Sequence, residues 1–250
     1  SNIEKIEMAL HEYLQKGGYP SIIHKTVQGV FQNLLEYKDL ALQRDIFELE
    51  EVRDVKNINE MVFVLSSLVG NRLNYSKIGN LIGIKVHSVK KYIGLLEDIF
   101  LLREQMVYSK KPHFSVRKER KICFIDNGMV NALNNNFEIP QQFMPFLAEN
   151  AVSAHILRRR FEYEINPIHY YWVSDIGEID TIAIINGKTY PIEVKYQNEI
   201  NDGDKKIMLD FMEKFGLKEG IMVTKKLLKR EKIKEKEILM IPLWLFMLAF

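Results

Sequence analysis

The sequence predicts a mixed α/β (α+β) protein: a helical first half, then an αβββαβ run forming a mixed sheet covered by helices. Two observations predict it. From residue 3 to about 99 the apolar residues recur at helical spacing, whereas residues 147–250 alternate between helical and β-branched, period-two segments. Within the second half, Asn186-Gly187 separates two apolar runs, Thr181 to Ile185 and Thr189 to Val194. Asn-Gly between such runs marks a two-residue hairpin, because a type I′ turn needs φ > 0 at both central residues.

Ile3, Ile6, Ala9, Leu10, Tyr13 and Leu14 lie on one helical face, and Gly17-Gly18-Tyr19-Pro20 ends that helix. A second helix is predicted over Val27 to Leu49, followed by a polar stretch from Glu50 to Asn57. Glu60 to Val69 and Tyr75 to Ile82 read as helices, and Gly83-Ile84-Lys85 as a tight turn. His87 to Ile99 reads as a third, with Val86, Val89, Ile93, Leu96 and Phe100 along one side. Two helices joined by a short turn containing glycine are the helix-turn-helix signature. The strand-like runs Phe100 to Val107 and Lys121 to Ile125 fit the wing of a winged helix. Lys85, Ser88, Lys90 and Lys91 fall on the exposed side of its third helix, where DNA bases or phosphates are in reach. The opposing reading is a packing module whose lysines are only a solvated face.

Residues 126–146, with Asn134-Asn135-Asn136, Pro140 and Pro145, read as a loop-rich connection. The expected organisation is a helical segment over 1–58, a winged-helix-like domain over 59–130 and a sheet domain over 131–250. In the last, Leu147 to Phe161 and Lys205 to Phe215 are helices. Ile168 to Val173, Ile179 to Ile185, Thr189 to Lys195, Gly220 to Thr224 and Glu237 to Ile241 are strands. The mixed charge run Lys225 to Glu237 reads as an exposed helix. Ile238 to Phe250 is apolar but interrupted by Pro242, and a bilayer span needs about 20 residues. A final strand and a buried terminal helix are expected there, and no membrane partner.

With 35 Lys and Arg against 33 Asp and Glu, the net charge of +2 selects no partner. The single Cys123 excludes an intrachain disulfide and a cysteine-rich zinc site, and fits a reducing, cytoplasmic setting. The chain opens Ser-Asn, without Met and without a signal-like segment, as expected of a trimmed fragment.

If Asn186-Gly187 is the loop, Asp180 falls opposite Glu193 and Glu178 opposite Lys195, all four on one side. Opposed side chains have Cβ atoms roughly 4.5–5.5 Å apart, where like charges destabilise. A divalent cation would hold the two acids together, and oxygen ligands suit Mg²⁺ or Mn²⁺. Alternatively, this is a solvated face with an ordinary Glu178–Lys195 ion pair. Glu149 lies between Val152 and Ile156 on its helical wheel, so it is expected to be partly buried and in need of partners. Packed over the hairpin, that helix would bring in a third carboxylate.

Glu149 on a first helix, Gly177-Glu178-Ile179-Asp180 on a strand and Glu193-Val194-Lys195 on the next resemble the PD-(D/E)XK nuclease superfamily, with Ile179 where the eponymous proline would stand. Gly17-Gly18-Tyr19-Pro20, Gln43-Arg44-Asp45-Ile46, Tyr92 to Leu102, Lys121 to Gly128, Leu147-Ala148-Glu149-Asn150 and Tyr171-Trp172-Val173 resemble something narrower. That is the C-terminal region of uncharacterised archaeal and bacterial AAA-type ATPases, in which a winged helix and a restriction-endonuclease-like domain follow the ATPase module. The resemblance implies a Mg²⁺-dependent DNA endonuclease-type phosphodiesterase. Asp180, Glu193 and Glu149 would bind the metal and Lys195 would act in catalysis. Gln197 would hold a phosphate or water, and Glu178 would orient Lys195. It also implies the missing ATPase module as a partner. The alternative is a non-catalytic DNA-binding or protein-docking module that regulates the ATPase. This chain has no Gly-x-x-x-x-Gly-Lys-Ser/Thr loop and so no P-loop nucleotide site of its own.

Overall fold

The computed structural model describes residues 2–47, 55–111, 119–162, 164 and 168–250, and side chains only outside 45–47. It is mixed α/β and divides into two compact units, Ser1–Glu104 with Glu119–Phe143 and Gln105–Lys118 with Met144–Phe250. The predicted helical residues 48–49 and the polar residues 50–54 lie outside the described residues.

In the first unit, α1 (Asn2–Lys16) and α2 (Val27–Ala41) pack against α6 (Asn127–Asn134). The helix α2 starts at Thr26, whose hydroxyl accepts the Gly29 N–H, and runs on into a π-helical segment, Leu42–Phe47. The stretch read as a loop is therefore partly helical. Asp126 is the reason: its Oδ1 accepts the N–H groups of Gly128 and Met129, which nucleates α6. Its Oδ2 accepts the Gly18 N–H at 2.7 Å, and Asn131 Nδ2 donates to the carbonyls of Leu14 and Gln15 at the end of α1. Two motifs more than a hundred residues apart thus form one clamp. Gly17 is required in it, since its φ is +80° and a Cβ there would lie 1.9 Å from Asp126 Oδ1.

The helices α3 (Val55–Ser66), α4 (Tyr75–Ile82) and α5 (Val86–Asp98) follow, with Asn74 capping α4 and Gly83 ending it. Leu73 bridges Arg120 in antiparallel fashion, and Ile125 N–H donates to Leu101 O beside β1 (Leu102–Val107) and β2 (Lys121–Phe124). Tyr75 OH bonds Glu104, tying α4 to β1.

The second unit is built on β3 (His169–Ser174), β4 (Gly177–Ile185), β5 (Lys188–Lys195), β6 (Glu219–Thr224), β7 (Lys229–Ile233) and β8 (Lys236–Pro242). They are ordered β3-β4-β5-β6-β8-β7, with Gln105–Val107 of β1 pairing in parallel on the outer side of β3. The strands β3, β4 and β5 are antiparallel; β5, β6 and β8 are parallel. The helix α7 (Met144–Phe161) packs on β4 and β5, and α8 (Asp202–Phe215) on β4, β5 and β6. They cover opposite faces: Thr181 meets Ser153 of α7, while the adjacent Ile182 joins Met208, Phe211 and Met212 of α8 in an apolar cluster. Pro145 falls inside α7, not in a loop, because proline is tolerated in a first turn. The helix α9 (Leu243–Ala249) follows β8 directly and buries Leu243 and Phe246.

Residues 225–237 depart from expectation. They form β7 and the turn into β8, not a helix, with Lys234 at φ 56°. An outermost strand needs no apolar face, so its charged residues satisfy the sheet edge while mimicking a helical charge run. Among the described residues no helix is long and apolar enough to cross a membrane.

Candidate active site

The Asn186-Gly187 turn places both residues at positive φ, 50° and 74°, and sets the β4–β5 register from Ile185↔Lys188 to Thr181↔Ile192. Beyond that pair, side chains replace ladder bonds. Asp180 Oδ2 accepts the Val194 N–H at 2.8 Å, and Asp180 N–H points at Glu193 Oε2 at 3.4 Å. The cause is a β-bulge. Between Tyr170↔Ile182 and Trp172↔Ile179, β4 carries one residue more than β3. Strict alternation therefore fails here, and Ile179 and Ile182 enter the same apolar cluster. The bulge releases Asp180 from the ladder beside Glu193.

Both acids are buried, Asp180 at 7% and Glu193 at 3% exposure. Burial, and then the Asp180 charge, push the Glu193 carboxyl well above the usual range, with Glu149 adding to the rise. Lys195, two residues along β5 on the same face, opposes this with Nζ 2.7 Å from Glu193 Oε1. Burial by itself would lower the Lys195 pKa, but Glu193, Asp180 and Asp204 outweigh it and hold the ammonium above its ordinary value. Glu149, Glu178, Asp180, Glu193 and Lys195 all line one cavity of about 360 Å³. From α8, Asp204 and Lys206 line it too. Gln197 is exposed and donates to Asp204 Oδ2 at 3.1 Å, within the capping box that starts α8. In the first unit, Lys85, Lys90 and Lys91 are exposed and Ser88 is half-buried, and Lys90 Nζ stands 5.3 Å from the centre of the Tyr75 ring.

Sequence reasoning missed Gln105. It is buried, and its Nε2 donates to Asp180 O at 3.2 Å and to Ser153 Oγ at 3.4 Å. No local signal separates it from an ordinary strand glutamine. A larger cavity, about 620 Å³, lies elsewhere in this unit, but its arginines are occupied: Arg159 by Glu162, Arg160 by Glu164 and Arg230 by Glu237.

Among the described residues, no three His, Cys, Asp or Glu side chains stand close enough to enclose an ion. The donor chemistry nevertheless fits Mg²⁺ or Mn²⁺. Mg²⁺ keeps several waters and is typically held by one or two carboxylates. Two buried acids that repel each other would be compensated by the positive charge of such an ion.

The chain is similar to an uncharacterized protein of Haemophilus influenzae, 22% identical over 96% of this chain and 58% of that protein. An uncharacterized protein of Methanocaldococcus jannaschii is 29% identical over 41% of this chain and 25% of its own length. The chain thus spans less than two thirds of either relative. No solved structure matches it. Residues 145–246 match the family model described as Domain of unknown function (DUF4143). Residues 7–139, more than half of the 250, match Domain of unknown function (DUF8612), and the chain belongs to that family.

Proposed function

We propose that the second unit is a Mg²⁺-dependent phosphodiesterase acting on DNA, with Asp180, Glu193 and Glu149 as metal-facing carboxylates and Lys195 as the catalytic cation. The observation that carries this is the convergence of Asp180, Glu193 and Lys195 in one cavity, two of them buried acids held together against their repulsion. The order α7-β3-β4-β5-α8-β6 supports the resemblance to the PD-(D/E)XK arrangement. A bound Mg²⁺ would lower the pKa of a coordinated water and neutralise charge at the scissile phosphate. The protein's own groups do the rest. Asp180 is oriented by the Val194 N–H, and its backbone carbonyl is held by Gln105. Lys195 stays protonated at neutral pH, so it serves as a fixed positive charge facing a phosphate oxygen and not as a general base. The first unit would contribute DNA contacts through Lys85, Ser88, Lys90 and Lys91, and an ATPase module would occupy part of the length by which the relatives exceed this chain.

Incubation of plasmid and linear DNA with Mg²⁺ or Mn²⁺ tests the reading. Cleavage should disappear in both Asp180→Ala and Lys195→Ala; cleavage that survives both substitutions removes the claim. One observation favours a second reading, a non-catalytic DNA-binding or docking module. Lys195 is locked on Glu193, and Asp180 Oδ2 is taken by a backbone N–H, so the polar cluster satisfies itself without an ion. Under that reading no metal stabilises the protein and no DNA is cut. Salt-sensitive DNA binding lost in a Lys85, Lys90 and Lys91 triple alanine variant would then separate DNA contact from docking.

A further inference from the structure

A different surface of the second unit carries its own chemistry. Tyr108, which follows β1, Tyr170 of β3 and Phe215 of α8 are half-buried at the edge of the α8 cluster. Their rings meet in tilted and edge-on contacts: Tyr108 lies 5.6 Å from Tyr170 and 5.1 Å from Phe215, with Trp172 beneath at 6.2 Å from Phe215. Lys110 Nζ stands 5.6 Å from the centre of the Phe215 ring and Lys214 Nζ 5.3 Å from that of Trp172. Both lysines are exposed, and among the described residues neither makes an ion pair. Lys111, which follows Lys110, and Lys188, which precedes Thr189, are also exposed, and the Thr189 hydroxyl contacts Tyr108 OH.

We infer that this surface binds single-stranded nucleic acid, with Tyr108, Tyr170 and Phe215 as a stacking platform and Lys110 and Lys214 as its phosphate contacts. Charge complementarity singles out this occupant. A polyanion with flat rings is the ligand that uses aromatic faces and unpaired ammonium groups together. The lysines now cover ring faces by cation–π attraction, which is worth little at an exposed site. A base would take the ring face, and the displaced ammonium would move to the adjoining phosphate. Duplex DNA hides its base faces in the stack and cannot use the platform. The same helix α8 also lines the acidic cavity at its first turns. Nine residues of helix separate Lys206 from Phe215, about 14 Å. That is about four base steps at duplex spacing. Binding at this surface does not depend on whether the cavity cleaves.

The test uses the full chain as Asp180→Asn, without metal, so that cleavage plays no part. A labelled fifteen-residue oligothymidylate is titrated by anisotropy, and Trp172 emission is followed in a Trp244→Phe background. Lys110→Glu with Lys214→Glu should weaken binding at least tenfold, and Tyr108→Leu about tenfold. A blunt duplex of equal length should bind at least tenfold more weakly than the single strand, and saturation should change Trp172 emission as Lys214 leaves its ring. The inference is overturned if the double charge reversal leaves Kd within twofold, if duplex binds as tightly, or if Trp172 emission does not respond. The exposed lysine variants also report on folding through unchanged thermal melts. Cleavage by the wild-type chain with no oligothymidylate binding would leave the phosphodiesterase reading standing and remove this one.

Discussion

Replacing Asp180 with asparagine should stabilise the metal-free protein while abolishing its response to Mg²⁺. Asp180 and Glu193 are both buried, and the Asp180 charge is the second-largest cause, after burial, of the raised Glu193 pKa. Two unit charges about 5 Å apart at an effective dielectric of about 20 repel by about 3 kcal/mol. Glu193 escapes part of this by holding its proton, so the repulsion felt at neutral pH is smaller. Against the gain, the Asp180→Asn side chain offers Val194 N–H an amide oxygen in place of a carboxylate oxygen and no longer attracts the Lys195 ammonium, losses of about 1 kcal/mol each at most. The net is a gain of about 1 kcal/mol, or roughly 2–4 °C in Tm for a chain of this size. The pH dependence has a definite sign. A carboxyl whose folded pKa lies above its unfolded value binds more protons in the folded state. The Glu193 contribution to stability is therefore full below about pH 4.5 and lost as pH rises through the folded pKa. Asp180→Asn should make that loss shallower, so the two proteins converge toward pH 4.5 and separate at pH 7. Thermal melts in EDTA and in Mg²⁺ at both pH values measure this. A variant that melts lower than wild type in EDTA at pH 7, or that still gains from Mg²⁺, refutes the account of a strained acid pair awaiting a cation.

Gly17→Ala should cost about 3–5 kcal/mol, from a positive φ and from displacement of the Asp126 carboxylate that holds Gly18 N–H; a urea midpoint equivalent to less than 1 kcal/mol would show the clamp to be dispensable. Gln105→Leu should lower stability by about 1–2 kcal/mol and weaken Mg²⁺-induced stabilisation, since Asp180 O and Ser153 Oγ lose a donor. Unchanged Mg²⁺ titrations by thermal shift would exclude Gln105 from positioning the site. His155 has its pKa lowered, first by burial and then by Arg158 and Arg159, so its folded form binds fewer protons than the unfolded chain. Its contribution is whole above about pH 6.5 and lost as pH falls from there toward the folded pKa. His155→Phe should flatten the stability profile in that window, as read from melts between pH 5 and 8.

The hairpin was legible because Asn186-Gly187 dictates its own backbone angles, and the count outward from a two-residue turn needs no tertiary information. The count held as far as Thr181↔Ile192 and set Asp180 beside Glu193, but it did not foresee the backbone at Asp180 and Thr181. A bulge there answers to the neighbouring strand β3, and no residue type announces it. Lys195 was expected opposite Glu178; its contact with Glu193, two residues back on its own strand, is at a separation that alternation permits and sequence cannot rank against the cross-strand partner. The terminal strand and helix were readable from an apolar run broken by Pro242. Lys229–Ile233 was not, because an edge strand and an exposed helix carry the same mixed charges.

By itself the sequence determined what is set within a few residues: helix starts and stops, the type I′ turn, and the presence of two acids and a lysine at matching distances from it. Only the tertiary structure decided which distant groups share a site. Gln105 reaching Asp180, Asp126 closing on Gly18, and Glu149 entering the same cavity as Glu193 are contacts between residues 44 to 108 positions apart. Local backbone preference carries no information over such separations. What brings those residues together is the burial of apolar faces around them, and their polar groups then pair because a buried carboxylate or amide left alone is too costly to keep.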